Sequence, residues 1–117
     1  KRKPEHITAI SAHGTGTVYN DLMELNAFRQ IFGERKVPMY SIKGAIGHTL
    51  GATGAIEVAL GLKALSSQMI PLTVGFENPE NGAEGQVSSE SQPISGDCLL
   101  STNSGFGGVN AALVLGR

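Results

Sequence analysis

Residues 51–66 constrain the fold more than any other stretch, because they read as a helix with almost no polar side. Ala52, Ala55, Ile56, Val58, Ala59, Leu60, Leu62, Ala64 and Leu65 occupy nearly every face. A helix that is apolar all round belongs inside a protein, sandwiched between other elements. The run is interrupted by Glu57 and Lys63, and at about 1.5 Å per residue it is too short for a bilayer core of roughly 30 Å. A buried helix is expected here, with Ala52, Gly54 and Ala55 small enough to let neighbours approach closely.

The flanking segments supply strands. Residues 7–12 form an apolar run with two isoleucines between Pro4 and Gly14 and read as a strand. Leu22, Leu25, Phe28, Arg29 and Phe32 fall near helical spacing, which predicts a helix over 21–32 with Asn20 as its cap and Gly33 as its stop. Residues 37–42 are a strand candidate with Pro38 near the start, where a missing N–H costs least. Residues 69–74 are another. The segment 77–97 is rich in turn residues and holds Glu77, Glu80, Glu84, Glu90 and Asp97 without Lys or Arg, so it reads as a solvated acidic connection. The last part reads as strand, glycine turn, strand, with 109–115 expected in a sheet covered on both faces. The order β-α-β-α-β-β around one buried helix predicts an α/β layer structure in a single domain over 1–117.

Charge and composition exclude several classes of function. Nine basic and ten acidic residues give a net charge of −1, which offers no broad positive field for nucleic acid. Nine basic against five acidic residues outside 77–97 leave +4 there, enough for a modest basic surface. The opening KRKPEH is not followed by an apolar signal core, so secretion is not expected. Cys98 is the only cysteine and cannot form an internal disulfide, and no Cys or His spacing suggests a metal site. A cytosolic location fits. Cys98 opens the apolar stretch Cys98-Leu99-Leu100, where a small buried thiol is the ordinary role, and no motif activates it as a nucleophile.

Glycine is the compositional outlier, 16 of 117 residues against a usual share of about 7%. It clusters at Gly14 and Gly16, at Gly44, Gly47, Gly51 and Gly54, and at Gly105, Gly107 and Gly108. Three clusters at the ends of regular elements suggest loops converging on one place, although composition alone equally allows three ordinary tight turns.

The residues around those glycines narrow the choice. SAHGTGT (residues 11–17), KGAIGHTLGATGAIE (43–57) and NSGFGGVNAALVL (103–115), together with Asn20, Asp21, Glu24 and Glu77-Asn78-Pro79, resemble in order and spacing the C-terminal half of elongating beta-ketoacyl-(acyl carrier protein) synthases, polyketide ketosynthases included. A lone glycine-rich pentad is weak; two His motifs and GFGG in this order are specific. The resemblance covers essentially the whole chain. It implies a thiolase-like fold of which this chain is the second half, the first half with its nucleophilic cysteine being absent.

That family transfers an acyl group from a cysteine to an enolate made by decarboxylating malonyl-acyl carrier protein. The resemblance implies that His13 and His48 hold the enolate oxygen with neutral N–H groups, a task for preorganised donors, and that Lys43 and Glu57 form a polar network beneath them, the alternatives being a solvent-exposed Lys43 and a Glu57 on a narrow polar stripe. Thr15 and Thr17 match residues touching the phosphopantetheine arm of the carrier protein, with helix capping as the competing role. Phe106, beside Gly107, matches a gate for the acyl chain, with core packing as its alternative. Ser104 departs from the phenylalanine common at its position. No cofactor of the enzyme's own is implied; the partners are acyl carrier protein, the N-terminal half and a second copy in a homodimer. His48 is expected to be neutral and the lone chain inactive. Two other readings are a non-catalytic module resembling a chain-length factor, which would not need both histidines, and a thiolase-fold enzyme using free coenzyme A.

Overall fold

The computed structural model describes residues 2–117; Lys1, the first residue of the basic opening stretch, lies outside them. In chain order the elements are β1 (Ile7–Ser11), α1 (Val18–Phe32), β2 (Met39–Tyr40), α2 (Lys43–Ile46), α3 (Thr53–Ser67), β3 (Met69–Ile70), β4 (Gln92–Pro93), β5 (Cys98–Gly105) and β6 (Val109–Gly116). A four-stranded sheet has the order β2-β1-β5-β6. β1 runs parallel to both β2 and β5, and β6 folds back antiparallel on β5. β3 and β4 make a separate antiparallel ribbon.

Alternation along the strands divides the core between the two faces of the sheet. Ile10, Met39, Cys98 and Leu100 pack with Leu25 and Phe28 of α1 on one side. Ala9, Tyr40 and Leu99 pack with Ala64 and Leu65 of α3 and Ile70 on the other. Ile7 shares the α1 side with Ile10 although they stand an odd number of positions apart. An irregularity in the β1–β5 register between Ile7 and Ala9 resets the parity, as an inserted residue does.

Several sequence expectations need correction. α1 begins at Val18 with Thr17 in the cap position, and neither Thr17 nor any other side chain makes a cap bond there. Asn20 instead donates to Asp21 Oδ1 and Glu24 Oε2 from inside the first turn. Gly33 stops the helix as expected, at φ 61° with its N–H on the Arg29 carbonyl. The strands read over 37–42 and 69–74 shrink to two residues each. The segment 77–97 is not merely a solvated connection. Ala83 and Ile94 enter the two cores, Gln86 is buried and bonds the Val37 carbonyl, and Gln92–Pro93 forms β4.

The largest correction concerns the apolar helix. α3 buries the stripe Thr53, Glu57, Gly61, Ala64 and Leu65, and Gly61 is where it approaches the sheet most closely, since an added Cβ would stand 2.7 Å from Leu115 Cδ1. Its other side, with Ala55, Ala59, Leu60 and Leu62, is exposed. β6, expected to be covered on both faces, is exposed along almost its whole length: it is the edge of the sheet, and α3 covers it only around Leu115, beside Gly61. The sandwich demanded by these sequences is half built within the described residues.

Candidate active site

The site assembles where the parallel strands end. Ser11 of β1 lies opposite Ser101 of β5, so the chain leaving β1 carries His13 beside Thr102 and Asn103 of β5. The carboxyl ends of parallel strands are where such sheets present their functional groups. His48 arrives from the turn between α2 and α3. The two imidazoles meet edge to face, with ring centroids 5.2 Å apart and planes at 79°.

His13 is buried, at 5% exposure, and its backbone is clamped from below. Glu24, on the buried stripe of α1, accepts the N–H groups of His13 (2.9 Å) and Gly14 (2.8 Å), the hydroxyl of Thr102 (2.9 Å) and the amide of Asn20 (3.3 Å). Four donors satisfy a carboxylate that burial alone would disfavour. Gly14 sits at φ 41°, and an added Cβ would lie 2.7 Å from Ser41 Cβ, so both conformation and space require glycine. Ser41 in turn donates its hydroxyl to the Gly14 carbonyl at 2.8 Å.

A second buried carboxylate supports the ring itself. Glu57 is completely buried and is paired with Lys43 at 2.7 Å, the lysine side chain being 6% exposed. Its other oxygen accepts the Asn103 amide at 2.6 Å, and Asn103 Oδ1 lies 3.4 Å from His13 Nδ1. A chain of contacts thus runs Lys43, Glu57, Asn103, His13. Burial, and next the Lys43 charge, hold the His13 pKa below its ordinary value of 6.5, with the hydrogen bond to Asn103 and the charge of Glu24 acting the other way. The ring is therefore kept neutral near pH 7.

His48 is exposed and held differently. Its Nδ1 accepts the Leu50 backbone N–H at 3.1 Å and lies 3.3 Å from the Thr53 hydroxyl, which also pairs with Thr49. Leu50 occupies the left-handed region at φ 51°, an unfavourable conformation for a residue with a branched side chain. Leu50 lies in the turn that aims His48.

The remaining sequence candidates sit at the rim. Thr15 and Thr17 bond one another, hydroxyl to hydroxyl, at 2.7 Å. Phe106 is fully exposed, which excludes core packing within the described residues. It opens a turn in which Gly107 and Gly108 both have positive φ. Cys98 is buried on the α1 side, opposite Ile7 at the other end of the sheet, about 16 Å along β5 from Asn103. A cleft of about 440 Å³ opens beside Thr15, Asp21, Lys43, Thr73 and Phe76, and neither histidine lines it. Asn103 and Thr53 carried no role in the sequence reading, and Glu24 only a match. Their signals are short: Asn103 opens the NSGFGG motif, and Glu24 follows Asn20 by one helical turn.

Residues 1–77 match the family described as "Beta-ketoacyl synthase, C-terminal domain". Over 117 residues the chain is 38% identical to 3-oxoacyl-[acyl-carrier-protein] synthase 2 of Coxiella burnetii, covering 97% of this chain and 28% of that protein. It is 39% identical to the tetracenomycin polyketide synthase ketoacyl synthase alpha subunit of Streptomyces glaucescens, covering 100% of this chain and 28% of that one. Its fold superposes on a beta-ketoacyl synthase from Burkholderia phymatum with a TM-score of 0.91 at 31% identity, over 98% of this chain and 28% of the other. The ishigamide ketosynthase/chain length factor gives 0.92 at 29%, over 98% and 29%. These are the thiolase-like proteins of the sequence resemblance, and the chain spans under a third of their length. The chain belongs to the beta-ketoacyl synthase family and matches its C-terminal domain.

Proposed function

We propose that this chain supplies the two-histidine half of a decarboxylating condensing site and that an N-terminal half completes it with a cysteine nucleophile. In the reaction, malonyl-acyl carrier protein loses carbon dioxide: the bond to its carboxylate breaks and the electron pair becomes an enolate. The enolate carbon attacks the acyl thioester on the cysteine, the carbon–sulfur bond breaks, and a 3-oxoacyl thioester leaves on the carrier protein. The difficult moment is the negative charge on the enolate oxygen, and a preorganised N–H in a dry site meets it.

The observation that carries the reading is the meeting of His13 and His48 at 5.2 Å, one neutral by burial and the other anchored through Nδ1 so that Nε2 is free. Lys43 and Glu57 hold the ground beneath them. Thr15 and Thr17 stand at the rim for the phosphopantetheine arm, and Phe106 with Gly107 forms a movable gate for the acyl chain. The exposed apolar sides of α3 and β6 are where the N-terminal half seats. The complete enzyme works as a homodimer in the cytoplasm, with the lone chain inactive. The similarity to a ketosynthase/chain length factor pair raises the non-catalytic alternative, and the intact histidine pair speaks against it.

The test is carbon dioxide release from malonyl-acyl carrier protein by the complete enzyme. Release that is abolished by His13→Ala and His48→Ala supports the reading; a folded enzyme that binds the carrier protein and releases none refutes it.

A further inference from the structure

The two imidazoles are fastened in opposite senses, and the difference traces to Asn103. Its amide lies between Glu57 Oε2 at 2.6 Å and His13 Nδ1 at 3.4 Å. Glu57 is paired with the Lys43 ammonium, and a carboxylate can only accept, so the edge of Asn103 facing it is the NH₂. The reverse orientation would press two acceptors together at 2.6 Å. The carbonyl Oδ1 is left facing His13, and it too can only accept. His13 Nδ1 therefore carries the hydrogen, and in a neutral ring Nε2 then holds a lone pair. His48 is the mirror case: the Leu50 N–H points at its Nδ1, which needs the lone pair there and leaves the hydrogen on Nε2.

We infer that Asn103 is a positioning residue that spans Glu57 and His13 and fixes His13 as the Nδ1–H tautomer, so that the pair presents one donor, His48, and one acceptor, His13. This deepens the decarboxylating reading and rests on it. Two equivalent donors are not what the network builds. The enolate oxygen takes its hydrogen bond from His48 Nε2–H, and His13 Nε2 takes one from a donor on the opposite side, a water or the substrate itself. Glu24 is the other charged group near His13; its bonds go to backbone N–H groups, Thr102 and Asn20 and none to the ring, so it fixes where the ring stands and not which nitrogen is protonated.

Two variants and one spectroscopic readout test this in the complete enzyme. With ¹⁵N-labelled histidine, long-range proton–nitrogen spectra report each ring's tautomer independently of turnover. The expected wild-type pattern is Nδ1–H for His13 and Nε2–H for His48. Asn103→Leu keeps the approximate size and removes both bonds; His13 then loses its single tautomer, and kcat for malonyl-acyl carrier protein decarboxylation falls on the order of 100-fold with KM changed by less than about twofold. Asn103→Asp brings a second carboxyl against Glu57 Oε2, so the two share a proton, while its other oxygen keeps an acceptor toward His13, which retains the Nδ1–H form. His13 found as Nε2–H in the wild type overturns the inference, as does Asn103→Leu with an unaltered tautomer, whatever its rate. Should Asn103→Leu not fold, the wild-type spectrum and Asn103→Asp each decide the matter. An enzyme without decarboxylation but with the expected spectra refutes the proposed function and leaves the role of Asn103 standing.

Discussion

Replacing Lys43 with methionine separates the pair at the base of the site. Nζ is 2.7 Å from Glu57 Oε1, and the two side chains are 6% and 0% exposed, so solvent screens the interaction little. At an effective dielectric constant of about 20 the attraction at that distance is about 6 kcal/mol, and withdrawing both ions from water offsets much of it. Removing only the cation is the unfavourable case. Glu57 would then be left in a dry site with the Asn103 amide as its remaining partner, and breaking a buried pair in this way costs about 3–5 kcal/mol. Replacing both, Lys43→Met with Glu57→Met, removes the stranded charge as well, and stability returns to within about 1 kcal/mol of the starting value. Urea denaturation of a chain this size has a slope of about 2 kcal/mol/M. The single variant's midpoint should fall by about 2 M and the double variant's should lie near wild type. A Lys43→Met midpoint within about 0.5 M of wild type would falsify the reasoning, because it would mean that the fully buried carboxylate does not depend on its cation.

Four further outcomes follow from the geometry. His48→Ala removes one preorganised donor and should lower kcat for decarboxylation by about 10²–10³, measured as carbon dioxide release. The lowered pKa of His13 places the acid limb of kcat/KM below pH 6.5; the same shift adds stability that is full above 6.5 and is lost as pH falls through the lower folded value, and Lys43→Met should move the limb back up. Thermal unfolding and pH–rate profiles read the two effects. Gly44→Ala would drive a Cβ into the Val74 carbonyl and should destabilise by about 1–3 kcal/mol or more, seen as a lower melting temperature. Phe106→Ala should change stability by less than about 0.5 kcal/mol, since the ring touches no core, while altering acyl-transfer rates and chain-length order; unchanged kinetics would remove its gating role.

What could be read from the sequence was what is encoded within a few residues. β1, the stop of α1 at Gly33, and the three glycine turns depend on β-branched side chains or on positive φ, which local chemistry dictates. The cap of α1 was misread because Asn20 has a stronger use: its amide reaches Glu24, which sits beneath the His13 loop. The pairing of His13 and His48 was carried by the family motifs, and a sheet register joining residues 11 and 101 lies beyond local pattern. The same distance hid Asn103, which meets Glu57 across 46 positions and His13 across 90. Residues 77–97 looked solvated because their acidic side chains do face water; the buried members, Ala83, Gln86 and Ile94, are too few and too scattered to make a period.

Burial is divided unevenly between the polar and apolar parts of this chain, and the division has a physical logic. Glu24, Glu57, His13 and Ser101 are nearly inaccessible, and the two carboxylates find all their donors within the chain. Val109, Val114, Leu60 and Leu62 lie open. Apolar surface is indifferent to what covers it, so it can wait for any complementary face. A buried charge cannot wait, since each unpaired carboxylate costs several kcal/mol and each catalytic donor works only if its direction is set before the charge develops. If the proposed condensing site is assembled from two halves, this chain keeps the hydrogen-bond network inside itself and leaves hydrophobic packing to the seam, where direction matters less than at the imidazoles.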